Sequence, residues 1–222
     1  MRSASVGSDL PGTPNAPDDL RARRRAARRA ENRTEILDAA ERVFGEHGVR
    51  DGSLREIGLL SGFSTAAIYL FFDNKQDLVS ETLIRRGVEL VGALQAVAES
   101  DLAPLDKLHR IVDVAVTFFE ARPEFRKLLR HITGGTAIVG SALAEYAGDV
   151  SGYFMKAMTL LAGIVADGQR AGEIRDGDAR AVAHLYSVLI NEHVLLAANG
   201  ESDTGTLTPQ QFHALIEGAL RP

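Results

Sequence analysis

The chain is predicted to be all-α, and three observations carry that prediction. Apolar residues recur at spacings of three and four along most of its 222 residues. No segment sustains the alternation of a strand. Helix-start residues stand ahead of several of the apolar stripes. The length is enough for one or two domains with a substantial core.

The elements follow in order. Residues 1–20 are rich in Gly, Pro, Ser and Asp, show no period, and are expected to be a disordered tail. A basic arm over 21–33, RARRRAARRAENR, is made of good helix formers and reads either as an extension of the first helix or as a solvated charged segment. The first helix spans about Thr34–His47, with Ile36, Leu37, Ala40, Val43 and Phe44 on its apolar stripe and Gly48 as a left-handed end. A second helix opens at Ser53, where Ser53 and Glu56 form an S-x-x-E capping box and Ile57 and Leu60 face inward. Gly62 permits a tight turn, Ser64 caps a third helix through Leu70, and Asn74 with Asp77 caps a fourth. The fourth continues through Leu78, Leu83, Ile84, Val88 and Val91.

Helices are expected next over Leu105–Ala121 and from Pro123 to the Gly134–Gly135 loop, then over Ser141–Arg170, Asp178–Ala198 and Pro209–Leu220. The division expected is a helix-turn-helix domain over 34–80 and a larger helical domain over 81–222 that binds a ligand and dimerises.

Composition excludes several functions. The absence of cysteine removes disulfides and thiolate metal sites, and agrees with a cytoplasmic protein. No apolar run approaches the ~20 residues of a membrane span, and the N-terminus has no signal core, so neither membrane nor export is expected. There is no H-E-x-x-H, P-loop or G-x-S-x-G, and the six histidines form no spaced ligand set, so no enzyme, cofactor or metal is expected. The net charge of −5 hides a local excess: Arg21, Arg23, Arg24, Arg25, Arg28, Arg29 and Arg33 crowd together with only Glu31 against them. Local potential, more than total charge, steers a protein to a polyanion.

The most specific stretch is Ser53–Lys75, two short helical patterns around a Gly turn. A helix-turn-helix needs a rigid angle and a second helix whose start carries groove-reading side chains. Ser53, Ser64 and Thr65 are candidates for phosphate or base-edge hydrogen bonds. Ala66 is small enough for close approach, and its methyl suits a thymine methyl. Tyr69 offers a hydroxyl at phosphate reach, Phe71 lies near the backbone, and Lys75 suits a phosphate beside a helix start. Arg33 adds a contact from the arm. The bland reading makes Ser64 only a cap, Tyr69 a core residue with a satisfied hydroxyl, and Ile57, Ile68, Phe71 and Phe72 core.

The segment Ile57-Gly58-Leu59-Leu60-Ser61-Gly62-Phe63-Ser64-Thr65-Ala66-Ala67-Ile68-Tyr69-Leu70-Phe71-Phe72-Asp73-Asn74-Lys75 resembles the signature of the tetracycline-repressor (TetR) family, I-A-x-x-A-G-V-S-x-G-x-[LI]-Y-x-[HYF]-F-x-x-K. It departs at Gly58 and Ser61 for alanine, Phe63 for valine, Ala66 for glycine, and Leu70 for a usually polar residue. The close resemblance covers about 34–90. It implies a homodimeric transcription regulator, most often a repressor, on a palindromic double-stranded DNA operator. It also implies a small-molecule effector in the C-terminal domain that moves the fourth helix and so changes the spacing of the two reading heads.

In that domain, Phe118, Tyr153, Phe154 and Met158 are adaptable lining for an apolar ligand. His109 and Asp113 share a helix face, and His193 interrupts an apolar helix; these are the polar candidates. The same residues also read as ordinary core, a surface ion pair and a dimer-face residue. Ala181, Leu185, Val188, Leu189, Leu195 and Leu196 form the apolar surface expected at a dimer contact. A regulator whose C-terminal domain answers to a protein is the competing reading.

Overall fold

The computed structural model describes residues 16–134, 139–144, 146, 150–196 and 207–222. Among these the chain is helical throughout: α1 (Ala16–Asp51), α2 (Leu54–Ser61), α3 (Thr65–Ile68), α4 (Lys75–Ala98), α5 (Pro104–Glu120), α6 (Pro123–Thr133), α7 (Val139–Leu143), α8 (Val150–Arg170), α9 (Ala179–Leu196) and α10 (Pro209–Leu220). The chain divides into two compact units, residues 1–35 and 36–222.

In the first unit the described part is helical from Ala16, so the expectation of a structureless tail fails for 16–20; residues 1–15 lie outside the described residues. Pro17 falls in the first turn, where a missing N–H leaves no bond unmade. The arm is therefore a helix, its arginines exposed apart from a half-buried Arg33. Thr34 Oγ1 donates to the Ala30 carbonyl at 3.0 Å.

The second unit opens with the predicted stripe, Ile36, Leu37, Ala40, Val43 and Phe44, all buried. Burying each of the larger of these side chains stabilises the fold by about 1.5–3 kcal/mol. Gly48 leaves the helical path (φ 77°, ψ 169°) and kinks the end of α1. Against α1 pack Ile57, Ile68, Phe72, Leu78 and Val79, the core of the small N-terminal bundle. Leu60 does not join them. It is exposed, because the short α2 turns Ile57 and Gly58 inward and leaves Leu59 and Leu60 outside. Val88 of α4 is likewise exposed, while Leu78, Leu83 and Val91 are buried.

The larger bundle is built by α4, α5, α8 and α9. The α5 stripe, Leu108, Ile111, Val112, Ala115, Phe118 and Phe119, is buried as its spacing predicts. It packs with Leu161, Ile164 and Val165 of α8 and Ala183, Tyr186 and Ile190 of α9. The buried Tyr186 hydroxyl donates to the Leu108 carbonyl, and burial followed by the Asp113 charge pushes that phenol up, so it stays a donor.

The helix expected over Ser141–Arg170 is two helices. The Leu143 carbonyl accepts the Tyr146 N–H, a turn too tight for an α-helix, and α8 starts afresh at Val150. Helix α6 ends at Thr133 with Gly134 as a left-handed cap; Gly135 lies outside the described residues, as do Ala197 and Ala198 of the helix expected to follow Asp178. Asp178 caps α9 by accepting the Arg180 and Ala181 N–H groups. The last helix has its predicted bounds and a reciprocal capping box between Thr208 and Gln211.

Candidate nucleic-acid interface and effector cavity

Three local caps shape the reading head. Ser53 Oγ accepts the Glu56 N–H at 3.3 Å, Ser64 Oγ accepts the Ala67 N–H at 3.1 Å, and Asn74 Oδ1 accepts the Asp77 N–H at 2.9 Å. Each such cap is worth about 1 kcal/mol. Only half of the expected Ser53–Glu56 box forms, since the Glu56 carboxylate meets His47 Nε2 at 3.1 Å instead. Gly62 takes the left-handed conformation (φ 77°) that turns the chain from α2 into α3. The family's usual alanine does not fit at position 58: a Cβ there would stand 2.5 Å from the Phe63 carbonyl oxygen. The departure at Gly58 marks a close crossing of α2 and the turn.

Ser53, Ser64, Thr65, Ala66 and Tyr69 are all exposed, whereas Ile57, Ile68 and Phe72 are buried beneath them. Tyr69 is 51% exposed, which removes the reading of it as a core phenol. Phe71 is half-buried and packs edge-on against Phe63, centroids 6.2 Å apart. Lys75 has a duty inside the head. Its Nζ donates to the Arg50 carbonyl at 3.0 Å and lies 5.9 Å from the Phe44 ring centroid, closing the frayed end of α1. That contact accounts for the lysine without a phosphate.

The head is held on the larger bundle by ions. Arg86 of α4 is bidentate on Glu41 of α1, Nε at 2.7 Å and Nη2 at 3.1 Å, and its Nη1 reaches both oxygens of Glu89. Arg85 adds Asp38 at 2.7 Å and Glu41 at 3.1 Å. Glu89 in turn holds Arg122, whose guanidinium covers the Phe118 ring at 4.1 Å. Burial pulls Arg86 down, but hydrogen bonds and charge from Glu41 and Glu89 hold it above its ordinary value. A second seam has no room at all: a Cβ on Gly45 would stand 2.5 Å from the Glu124 carbonyl oxygen of α6.

Inside the larger bundle is a cavity of about 130 Å3. Its wall is apolar, with Leu83, Leu90 and Leu94 of α4, Phe119 of α5, Phe125 and Leu129 of α6, and Ala157 and Leu161 of α8 among its residues. Tyr153, Phe154 and Met158, three of the ligand candidates of the sequence, are in its wall. Arg86, Ser187 and Asn191 are its polar edge.

His109, Asp113, Phe118 and His193, the other residues read as ligand candidates, are not in that wall. Phe118 stacks edge-on with Phe119 and Phe125 under Arg122. Asp113 is taken by His213 Nε2 at 3.2 Å, not by His109. The His109 ring stacks on His213 at 4.9 Å and faces Glu217 at 4.0 Å. The His193 ring stacks on Phe212 at 4.4 Å. The contacts of His109, Asp113 and His193 cross from α5 or α9 to α10, so spacing within one helix does not reveal them. Among the described residues no group of three or more acidic, His or Cys side chains could hold a metal, and no helix is long and apolar enough to cross a membrane.

Comparison with known proteins agrees with this architecture. The family model for bacterial regulatory proteins of the tetR family matches residues 36–82. The HTH-type transcriptional repressor BepR of Brucella suis biovar 1 (strain 1330) is 32% identical over 160 residues, covering 68% of this chain and 73% of that protein. The fatty acid degradation regulator FadR of Bacillus halodurans superposes with a TM-score of 0.69 at 18% identity, over 83% of this chain and 93% of the other. FadR of Bacillus subtilis in complex with stearoyl-CoA gives 0.63, also at 18% identity, over 83% and 94%. At these identities the two structures speak for the fold alone, and the family follows from the head and from BepR. The chain belongs to the tetR family and is a DNA-binding transcriptional regulator, not an enzyme.

Proposed function

We propose that this regulator is a cytoplasmic homodimeric repressor that holds a palindromic operator and is released by a small, uncharged, apolar effector. The observation that carries the reading is that one helix serves both ends. Helix α4 starts at the head, with Asn74 as its cap and Lys75 on the Arg50 carbonyl, and it walls the cavity from Leu83 to Leu94. Anything that reshapes the cavity wall acts on the helix that carries the head. Only the acyl chain of the stearoyl-CoA bound by the Bacillus subtilis protein, not its phosphate-bearing CoA part, is in keeping with an apolar occupant. A cavity within the bundle favours a metabolite over a protein as the signal.

We assign reading to residues 34–80 and sensing with dimerisation to 81–222. Exposed Leu185 and Ala181 on α9, and Leu215 and Ala214 on α10, support pairing of two copies through these helices, although Leu195 is buried and belongs to the core. Two-fold heads would meet half-sites about one helical turn, ~34–36 Å, or a multiple apart. Ser53, Ser64, Thr65, Ala66 and Tyr69 make the base and phosphate contacts, with Arg33, Phe71 and Lys75 in lesser roles.

The test begins with a duplex selected from a random library by the purified chain. Tyr69→Ala is expected to weaken binding to it by about 10–100-fold at fixed salt, roughly 1–3 kcal/mol, with the helical content unchanged. Unaltered affinity in a gel shift removes Tyr69 from the interface.

A further inference from the structure

Among the described residues of the cavity wall, Arg86 alone is charged, and its guanidinium is spent on groups outside the cavity. Three cations, Arg85, Arg86 and Arg122, are matched to three carboxylates, Asp38, Glu41 and Glu89, in one continuous chain from α1 through α4 to the start of α6. Helix α6 closes the circuit, since its Phe125 and Leu129 face the cavity while its Glu124 carbonyl abuts Gly45 of α1. The Glu41 side chain is only 8% exposed. If Arg86 moves away, Glu41 keeps Arg85 but loses its bidentate partner in a place that water barely reaches. Parting a buried carboxylate from a partner is costly, so the pair favours staying closed.

We infer that Arg86 is the latch through which cavity occupancy is reported to the head: an uncharged occupant that displaces the Arg86 stem parts its guanidinium from Glu41 and frees α1 from α4. This rests on the reading of the cavity as the effector site. The occupant must be uncharged because both edges of the guanidinium are already held by carboxylates. An anion would add a fourth negative charge with no cation to receive it, and a cation would face Arg86 itself. The ligand acts by its different fit to the latched and unlatched wall, which is the only way binding shifts such an equilibrium.

The test uses the full chain with naphthalene as an uncharged apolar probe, its uptake followed by fluorescence and the head by hydrogen exchange over residues 36–47. In the wild type, saturating naphthalene is expected to speed exchange in that segment by at least about threefold. Glu41→Gln removes the charge from a residue outside the cavity wall. It should take up naphthalene at least about threefold more tightly than wild type, because binding no longer has to open the latch, show raised exchange without the probe, and respond no further. Arg86→Met, which keeps an apolar stem in the wall, should likewise show raised exchange without the probe and no further response to it, and serves if Glu41→Gln fails to fold. Uptake by the wild type with an equal probe response in either variant overturns the latch alone. A wild type that takes up no naphthalene overturns the cavity reading and the latch with it.

Discussion

The head and the larger bundle use their aromatic residues in opposite ways. In the head, Phe44 and Phe72 are buried, Phe63 and Phe71 pack edge-on, and a Cβ on Gly52 would stand 2.7 Å from the Phe44 ring. In the larger bundle, Phe119, Phe125, Tyr153 and Phe154 stand around a space of about 130 Å3 that they leave open. The side chains around that partly open space go without packing partners on one side. A reader of base edges has to hold its side chains still, so its packing is closed. A sensor has to have somewhere for its signal to go, so part of its packing is forgone and regained on binding.

The contrast can be broken most directly by truncation. Phe72→Ala is expected to cost about 3–5 kcal/mol in denaturant unfolding, since a sealed core cannot collapse around the gap. Phe154→Ala enlarges a space that already exists, and is expected to cost at least about 1 kcal/mol less. Equal losses would mean that the wall is as tightly packed as the head. A smaller effect sharpens the comparison from the other side. Ala157→Phe fills the cavity and is expected to raise stability by up to about 1 kcal/mol and to abolish naphthalene uptake, with affinity for the selected duplex unchanged. A filled cavity that still takes up the probe would move the site elsewhere.

The smallest expected effect concerns the α9–α10 contact. Burial, and then the charge of His213, holds His193 below its ordinary value. The unfolded chain therefore takes up a proton near pH 6.5 that the folded chain resists, and stability falls as the pH drops below that value. Wild-type melting temperatures between about pH 5 and pH 7.5 should slope more steeply than those of His193→Gln. Parallel slopes would show that His193 carries none of the effect.

How far the sequence was legible follows from the range of each interaction. Ser53, Ser64 and Asn74 cap helices through bonds to residues three positions on, so the start of each helix in the head could be read locally. The fold class and the α5 stripe were legible for the same reason, as periods within one element. Lys75 was not, because its partner Arg50 lies 25 residues away, and Arg86 and Glu41 are 45 apart. His109 was paired with Asp113 on spacing, whereas the fold brings His213 between them from the last helix. Tyr153, Phe154 and Met158 were legible as apolar lining, but α4 and α6, which supply the rest of the wall, carry stripes that look like any core. The break between α7 and α8 was missed because apolar periodicity runs on across it.

Helix α4 crosses residue 80 without interruption, and Ser80, Thr82 and Leu83 are all buried there. Anyone wishing to graft this head onto a different sensor would find no seam at that position. A hybrid joined within α4 would force two unrelated surfaces to share one turn, whereas an exchange that carries Asp38, Glu41, Arg85, Arg86 and Glu89 across as a set keeps their charges matched. New specificities for this protein are therefore better sought by redrawing the exposed residues of the head than by swapping it whole.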